Sequence, residues 1–395
     1  MEMTDTKYTI IGAGIGGLAA AIALAQKGAT VTLFEQAKVL GEVGAGLQIS
    51  PNGVAVLKSF GLYDAAAKLA NCPDAIVLRD YRGASVTRME LGQNAVRRFG
   101  NPYWQFHRAD LLSVLAKGAL DAGVDIKFNH KVANITRNGA GALIEFEEQE
   151  SQLVDCLIAA DGVRSKTRSA VFDGHEATFT GQVAWRGLVS ADKLPAGMFG
   201  NETQVFMGKG RHLVAYPLRG GSMINFVAVE ERKDWTDEGW NIPDDPANLR
   251  AAFSGWCQPV ETLLAAVDHT FLWGLFSHPV LAKWSDGQVA LLGDACHPML
   301  PFLAQGAVMG LEDGWVLADA LEKADDIPTG LRAYEDRRKD RATRVQKSAA
   351  KNAWAYHLRM PVFRDVAHAI IKKTSPDRLL GKFDWLYGHD VTDGK

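Results

Sequence analysis

Cysteine is scarce. Cys72, Cys156, Cys257 and Cys296 are the only four in 395 residues, and no two stand at metal-ligand spacing. Such scatter fits reduced thiols better than a disulfide framework, and no metal constellation is visible. Charge of neither sign dominates. The 43 basic and 46 acidic side chains leave a net charge of −3, which excludes a global field for nucleic acid or acidic lipid. Long apolar runs are missing too. "GLAAAIALA" stops at Gln26 and Lys27, well short of the roughly 20 apolar residues that span a bilayer. The first residues are acidic and lack the basic start of a signal peptide, so a cytoplasmic location is expected. There is no internal repeat and no low-complexity tract. What remains is an ordinary globular composition, 47% apolar and 23% charged, on a chain long enough for two or three domains.

Residues 7–36, "KYTIIGAGIGGLAAAIALAQKGATVTLFEQ", predict strand, tight turn, helix and strand. A βαβ unit of this kind implies a parallel sheet. Helices are expected over 16–27, 52–60, 107–123 (with Asp110 as an acid in its first turn) and 247–266. Residues 75–100 and 180–230 break into short β-like runs. "FLWGLFSH" and "GQVALLGDA" are strands, and helix follows from Gln305. The charged tail over 331–373 is helical, and its "RRKDRATRVQK" predicts a solvated face. This alternation predicts an α/β fold. A Rossmann-type domain (1–72, 101–175 and 270–330) is interleaved with a β-rich domain (73–100 and 176–269), and a helical segment (331–395) follows.

Gly12, Gly14 and Gly17 form G-x-G-x-x-G between a strand and a helix. The first permits the turn, the second lets a diphosphate approach the backbone, and the third lets helix pack on strand. The helix start supplies free N–H groups. Glu35 closes the next strand, roughly twenty residues on, where an acid accepts from ribose hydroxyls. Glu35 disfavours a 2′-phosphate there and does not separate NAD from FAD. A second strand ends in Asp161-Gly162, followed by Lys166 and Arg168, which read as a solvated basic turn. A third ends in "LLGDACHPMLPFLAQGA". Asp294 is placed to accept from a polyol, Pro298 and Pro301 stiffen the loop, and Gln305-Gly306-Ala307 starts a helix with unsatisfied N–H groups. A helix start aimed at a heterocycle stabilises negative charge on it, as reduced flavin would require.

These stretches, with "GAGLQISPNG", "HRADLL", "HLVAYPL" and the terminal "FDWLYGHD", follow one another in an order that resembles the single-component FAD-dependent aromatic hydroxylases. That group includes the para-hydroxybenzoate, salicylate, 3-hydroxybenzoate and 6-hydroxynicotinate hydroxylases. The resemblance implies FAD as cofactor, NADH or NADPH as co-substrate, and O₂ transfer to a small phenolic acid through a flavin C4a-hydroperoxide. By resemblance, Gly12, Gly14, Gly17 and Glu35 hold the ADP half, Arg108 reaches the diphosphate, and Val132 lies by the adenine. Asp161 is the second acidic motif, Asp294 holds the diphosphate and ribityl region, and Gly306-Ala307 the flavin ring; Gln48 belongs to the same cofactor set. His212, Tyr216 and Gln305 match an active-site trio, and Pro301 stands beside the flavin. Gln48 and Phe302 replace two histidines of the 6-hydroxynicotinate enzymes, which makes a hydroxypyridine substrate the second choice. A flavin reductase or redox sensor without hydroxylation is the other alternative.

Of the remaining side chains, His297 is expected to orient its loop and Cys296 to pack. Trp185, Arg186 and Trp273 are expected to pack the sheet rather than line a pocket. A homodimer through the C-terminal helices is expected.

Overall fold

A computed structural model describes residues 3, 6–41, 45–139, 141–172, 174, 176–233, 235, 242–357 and 361–393, with backbone alone for 353–356 and 361–365. Part of the polar stretch 232–247 therefore lies outside the described residues. The apolar segments Val289–Leu291, Leu157–Ala159, Lys7–Ile11, Thr30–Phe34 and Asp125–Lys127 pair in that order as a parallel sheet, with Ser285–Asp286 antiparallel at one edge. Both faces are covered, which is why the central strands are apolar without alternation.

The helix Ile15–Gln26 is buried along most of its length. Small residues let it meet the helix Gly306–Glu322 at backbone distance. A Cβ on Gly310 would stand 3.2 Å from the Gly16 Cα, and one on Gly314 would stand 2.5 Å from the Ala20 nitrogen. Gly16 and Gly310 lie near the helix starts, so the two N-termini are brought together.

The second layer is an eight-stranded sheet in the order 242–244, 270–277, 178–190, 223–231, 211–218, 202–208, 75–80, 85–90. One face carries Trp185, Phe206, Leu213, Phe226 and Leu272, buried with Leu249, Phe253, Val260 and Leu263 of the helices Pro246–Ala252 and Gln258–Ala265. Side chains alternate across a strand, so His212, Val214 and Tyr216 point to the other face, opposite Val229, Val227 and Asn225. That face turns toward the parallel sheet and its loops.

Three details depart from the sequence expectation. The strand Thr270–Ser277 pairs with Thr178–Ser190 in the large sheet rather than with the parallel one. The helix expected over 247–266 is two helices, separated at 253–257. Within 75–100, Gly92–Phe99 is helical; it buries only Ala95, too little apolar periodicity to betray a helix.

Candidate active site

The glycine turn is built by contact with the next loop. Gly12 has φ +95°, and a Cβ there would meet the Ala160 carbonyl oxygen at 2.4 Å. A Cβ on Gly17 would stand 1.9 Å from the Gly12 oxygen. Gly14 differs: a Cβ there would meet nothing within 4 Å. The glycines at 12 and 17 therefore make room for the protein itself, and Gly14 makes room for something else. Glu35 braces the turn, accepting from the Ala13 N–H at 2.7 Å and the Ala37 N–H at 2.8 Å. The helix behind begins at Ile15 with neither a side-chain cap nor an acid in its first turn.

Asp161 accepts at one oxygen from Thr167 N–H (3.2 Å) and O–H (3.1 Å). Its other oxygen, Oδ1, is buried without a hydrogen-bond partner among the described residues. Lys166 is exposed, as a solvated turn would have it, but Arg168 is not. Lys166 donates to the Val132 carbonyl at 2.8 Å, and Arg168, 7% exposed, donates to Val163 and Ala295 carbonyls at 2.6 and 3.3 Å. They tie the Asp161 loop to the loops on either side of it.

Gly293, at φ +63°, turns the chain out of its strand into Asp294. Asp294 keeps solvent access along the cleft although it lies deep in the molecule. Burial raises its carboxyl pKa, against the pull of His297 and Arg108. Arg108 follows the strand Trp104–His107, which pairs with Gly46–Ile49, and its N–H donates to the Ala45 carbonyl at 2.9 Å. Residues nearly two hundred positions apart thus meet at one carboxylate. A Cβ on Gly306 would come 3.8 Å from Asp294 Oδ1, so the start of the second helix stands beside that carboxylate. This helix also lacks a side-chain cap and a first-turn acid. Two helix N-termini and a carboxylate share one groove.

Behind the groove lies a cluster of buried charge. Glu312 pairs with Arg338 at 2.7 Å and Arg341 at 2.8 Å, and accepts from Asn52 at 2.7 Å. Asp313 pairs with Arg338 at 2.7 Å and His297 at 2.6 Å, and accepts from the Gly293 N–H at 3.1 Å. Burial alone would raise both carboxyl pKa values; these partners pull each to about 2. His297 orients its loop as expected. "RRKDRATRVQK" is solvated at Arg337, Asp340, Arg344 and Lys347, as expected, but the Arg338 side chain is 1% exposed and pairs with two carboxylates. Spacing alone could not reveal this, because the partner acids sit on another helix.

The facing wall is the sheet. Trp273, Leu275, Met299, Leu300 and Pro301 line an apolar cavity that reaches Asp294. Trp273 was expected only to pack; it also lines this cavity, with the Arg186 guanidinium 4.9 Å from its ring centre. Trp185 does pack, and donates to Asp244 at 2.6 Å. Tyr216 is buried and bonded to the Gln48 side chain, and burial raises its pKa. Gln48 also accepts from Tyr103 O–H at 2.5 Å. Asn225 accepts from the Gly46 N–H at 2.7 Å, while its Nδ2 is buried without a partner among the described residues. His212 is 2% exposed, with its ring centre 5.5 Å from that of Phe302. Burial and the neighbouring His357 hold it well below the usual histidine pKa.

A family described as "FAD binding domain" matches residues 5–349. The chain belongs to that FAD-binding family. It is 34% identical over 390 residues to 3-amino-4-hydroxybenzoate 2-monooxygenase PtnB3 of Streptomyces platensis, covering 98% of this chain and 96% of that one. It is 33% identical to 3-hydroxybenzoate 6-hydroxylase of Polaromonas naphthalenivorans, covering 98% and 97%. The fold matches the crystal structure of Klebsiella pneumoniae R204Q HpxO complexed with FAD, with TM-score 0.85, 28% identity, and 97% and 98% of the two chains covered. The protein is an FAD-dependent aromatic hydroxylase.

The groove fits FAD. Gly14 opens onto space, Asp161 Oδ1 lacks a partner, and two uncapped helix starts point into one cleft. Gly12, Gly14, Gly17, Glu35, Asp161, Asp294, Gly306 and Ala307 come together around the loops that follow the parallel strands, with Arg108 beside Asp294. Val132 stands apart, packed with Ile11 and Phe34 at the far end of the groove. Gln48, Tyr216 and Asn225 meet where the strand Gly46–Ile49 touches the large sheet. Pro301 lines the cavity. Gln305 turns elsewhere: its Nε2 donates to Ser50 Oγ at 2.8 Å, and its Oε1 accepts from Asn52 at 3.3 Å. Sequence reasoning missed Asn225, Arg338 and the crossing of Gly310 and Gly314 on the first helix. Only the glycines, four apart on one helix, left a signal.

Proposed function

We propose that this hydroxylase acts on a monocyclic phenolic acid of the salicylate or 3-hydroxybenzoate kind, with NADH or NADPH as reductant and O₂ as co-substrate. The observation that carries this is the apolar cavity between Trp273, Leu275, Leu300 and Pro301, bounded by a sheet face that bears His212 and Tyr216. FAD, when bound, supplies the oxygen chemistry. The cavity's apolar lining keeps water from the reacting atoms. Tyr216, held by Gln48, orients the phenol oxygen. His212 is neutral near pH 7 and accepts the phenolic proton, a general-base contribution of roughly 10²–10⁴-fold. Arg108 and Asp294 fix the cofactor's chain, and the start of the Gly306 helix stabilises negative charge on its ring.

Monocyclic hydroxy acids are screened for stimulated NADH oxidation, with peroxide and product measured. A true substrate stimulates oxidation and leaves little peroxide. If none stimulates, the proposal fails; hydroxypyridine carboxylates in the same screen test the second reading. Tyr216→Phe and His212→Ala should each lower coupled hydroxylation by about 10²-fold, and unchanged coupling in both would sink the active-site assignment. No described helix is long and apolar enough to cross a membrane. A homodimer through the C-terminal helices, whose Val366 and Ile370 are 52% and 61% exposed, is checked by light scattering.

A further inference from the structure

We propose that Gln346 is a positioning residue for hydroxylation: its amide clamps the 298–304 loop to the end of the sheet wall and so limits how far the cavity opens to water. The proposal rests on the reading that the ring is oxidised in this cavity. Gln346 lies on the helix Ile327–Tyr356 and is half-buried. Its Nε2 donates to the Pro298 carbonyl at 2.9 Å and to the His278 carbonyl at 3.2 Å. Pro298 opens the stretch Met299, Leu300 and Pro301. His278 directly follows the strand Thr270–Ser277, which carries Trp273 and Leu275. All of these wall residues line the cavity. One nitrogen therefore ties its two sides together.

Between the two sides the contact is otherwise apolar. Leu300 and Phe302 pack with Ala184, Val229, Trp273 and Leu275. Apolar burial is non-directional, so it joins the walls without fixing their spacing. Among the described residues, no hydrogen bond runs directly from the strand Thr270–Ser277 to the 298–304 loop. Pro298 and Pro301 stiffen that loop, so a hold at Pro298 carries to the residues that follow. The loop is also kept away from its own preference. Ala304 closes it at φ +52°, a left-handed conformation that a residue with a Cβ keeps only when its surroundings impose it. Asn352, farther along the same helix, donates to the Phe302 carbonyl at 3.3 Å, and Gln305 Nε2 donates to Ser50 Oγ at 2.8 Å at the loop's far end. Arg338 fixes the helix itself to Glu312 and Asp313. The clamp is thus mounted on an element anchored to the cofactor wall. Its chemistry requires donors. An amide nitrogen carries one hydrogen for each carbonyl, whereas a carboxylate of the same reach carries none and would face two carbonyl oxygens.

The test uses the FAD-loaded full chain. Gln346→Glu keeps the length and removes both donations, which should raise the open population about tenfold. The readout is iodide quenching of flavin fluorescence, which should increase at least about threefold. Gln346→Lys, whose ammonium again offers donors to the two carbonyls, should return quenching toward that of the unaltered protein. A merely structural role would lower Tm or FAD content in both variants alike and would not separate donor from acceptor. Gln346→Met, of similar length and without donors, carries the test if Gln346→Glu fails to fold. Unchanged quenching in the donorless variant overturns the clamp. With a stimulating phenolic acid, peroxide formed per NADH should rise at least about threefold in Gln346→Glu. Raised quenching with unchanged coupling overturns the role in hydroxylation and the cavity reading beneath it. If no phenolic acid stimulates the unaltered holoenzyme, the substrate reading falls, and quenching still decides the clamp.

Discussion

The two walls of the cleft are made of different material. The cofactor wall is largely main chain: glycines, two helix starts and the loops after parallel strands, with a few carboxylates between them. The sheet wall is side chain: His212, Tyr216, Asn225 and Trp273 come from three strands and meet through register. Main-chain recognition requires a turn of fixed shape, and a turn is written in neighbouring residues. Side-chain recognition requires only that distant residues share a face. The first wall is therefore legible in a short stretch of sequence, and the second is not.

The largest expected effect tests whether the cofactor wall stands without support from behind. Arg338 neutralises Glu312 and Asp313 while fully enclosed. Arg338→Ala leaves two buried carboxylates undercompensated and should cost about 3–5 kcal/mol, read by urea denaturation. The pH dependence has a definite sign. Both carboxyls are lowered to about 2 in the folded protein, below their unfolded values. Their contribution is present above about pH 4.5 and lost as pH falls toward 2. In Arg338→Ala the acid transition should move upward by about one unit or more. An unchanged acid midpoint would show that the cluster does not hold the wall.

Next come two glycines of one motif that should behave in opposite ways. Gly17→Ala gains about 1 kcal/mol of helix propensity but drives a Cβ to 1.9 Å from the Gly12 oxygen. Overpacking against backbone costs about 3 kcal/mol, so the apoprotein should lose roughly 2 kcal/mol. Gly14→Ala meets no protein atom within 4 Å. The apoprotein should keep its Tm while FAD binds at least about tenfold more weakly, a loss of about 1.4 kcal/mol. Equal effects on the apoprotein would erase the distinction between room for the chain and room for the ligand.

How much was readable follows from the same contrast. The βαβ unit, the three loops and the alternation of two layers were visible because each is local. Asp294 and Asp161 were visible because each ends an apolar strand. Trp273 passed for packing because its cavity forms only when the strand Thr270–Ser277 meets the 298–301 loop. Arg168 and Arg338 passed for solvated charge because their partners lie on other elements. Gln305 sits in the expected loop, but its side-chain direction depends on Ser50 and Asn52, far away in the chain.

The smallest expected effect separates buried from exposed charge within the same fold. Arg98 makes a two-pronged contact with Asp384, at 2.6 and 2.7 Å, and so joins the Gly92–Phe99 helix to the C-terminal segment. Its geometry rivals that of Arg338, yet the two side chains are 36% and 53% exposed. Water solvates both charges whether or not the pair forms, so geometry contributes little. Arg98→Ala should cost under about 1 kcal/mol, and the loss should shrink further in high salt. The Arg338 cluster, screened by protein rather than by ions, should keep its effect in the same salt. Equal salt sensitivity of the two variants in parallel urea titrations would mean that enclosure does not set the strength of these pairs.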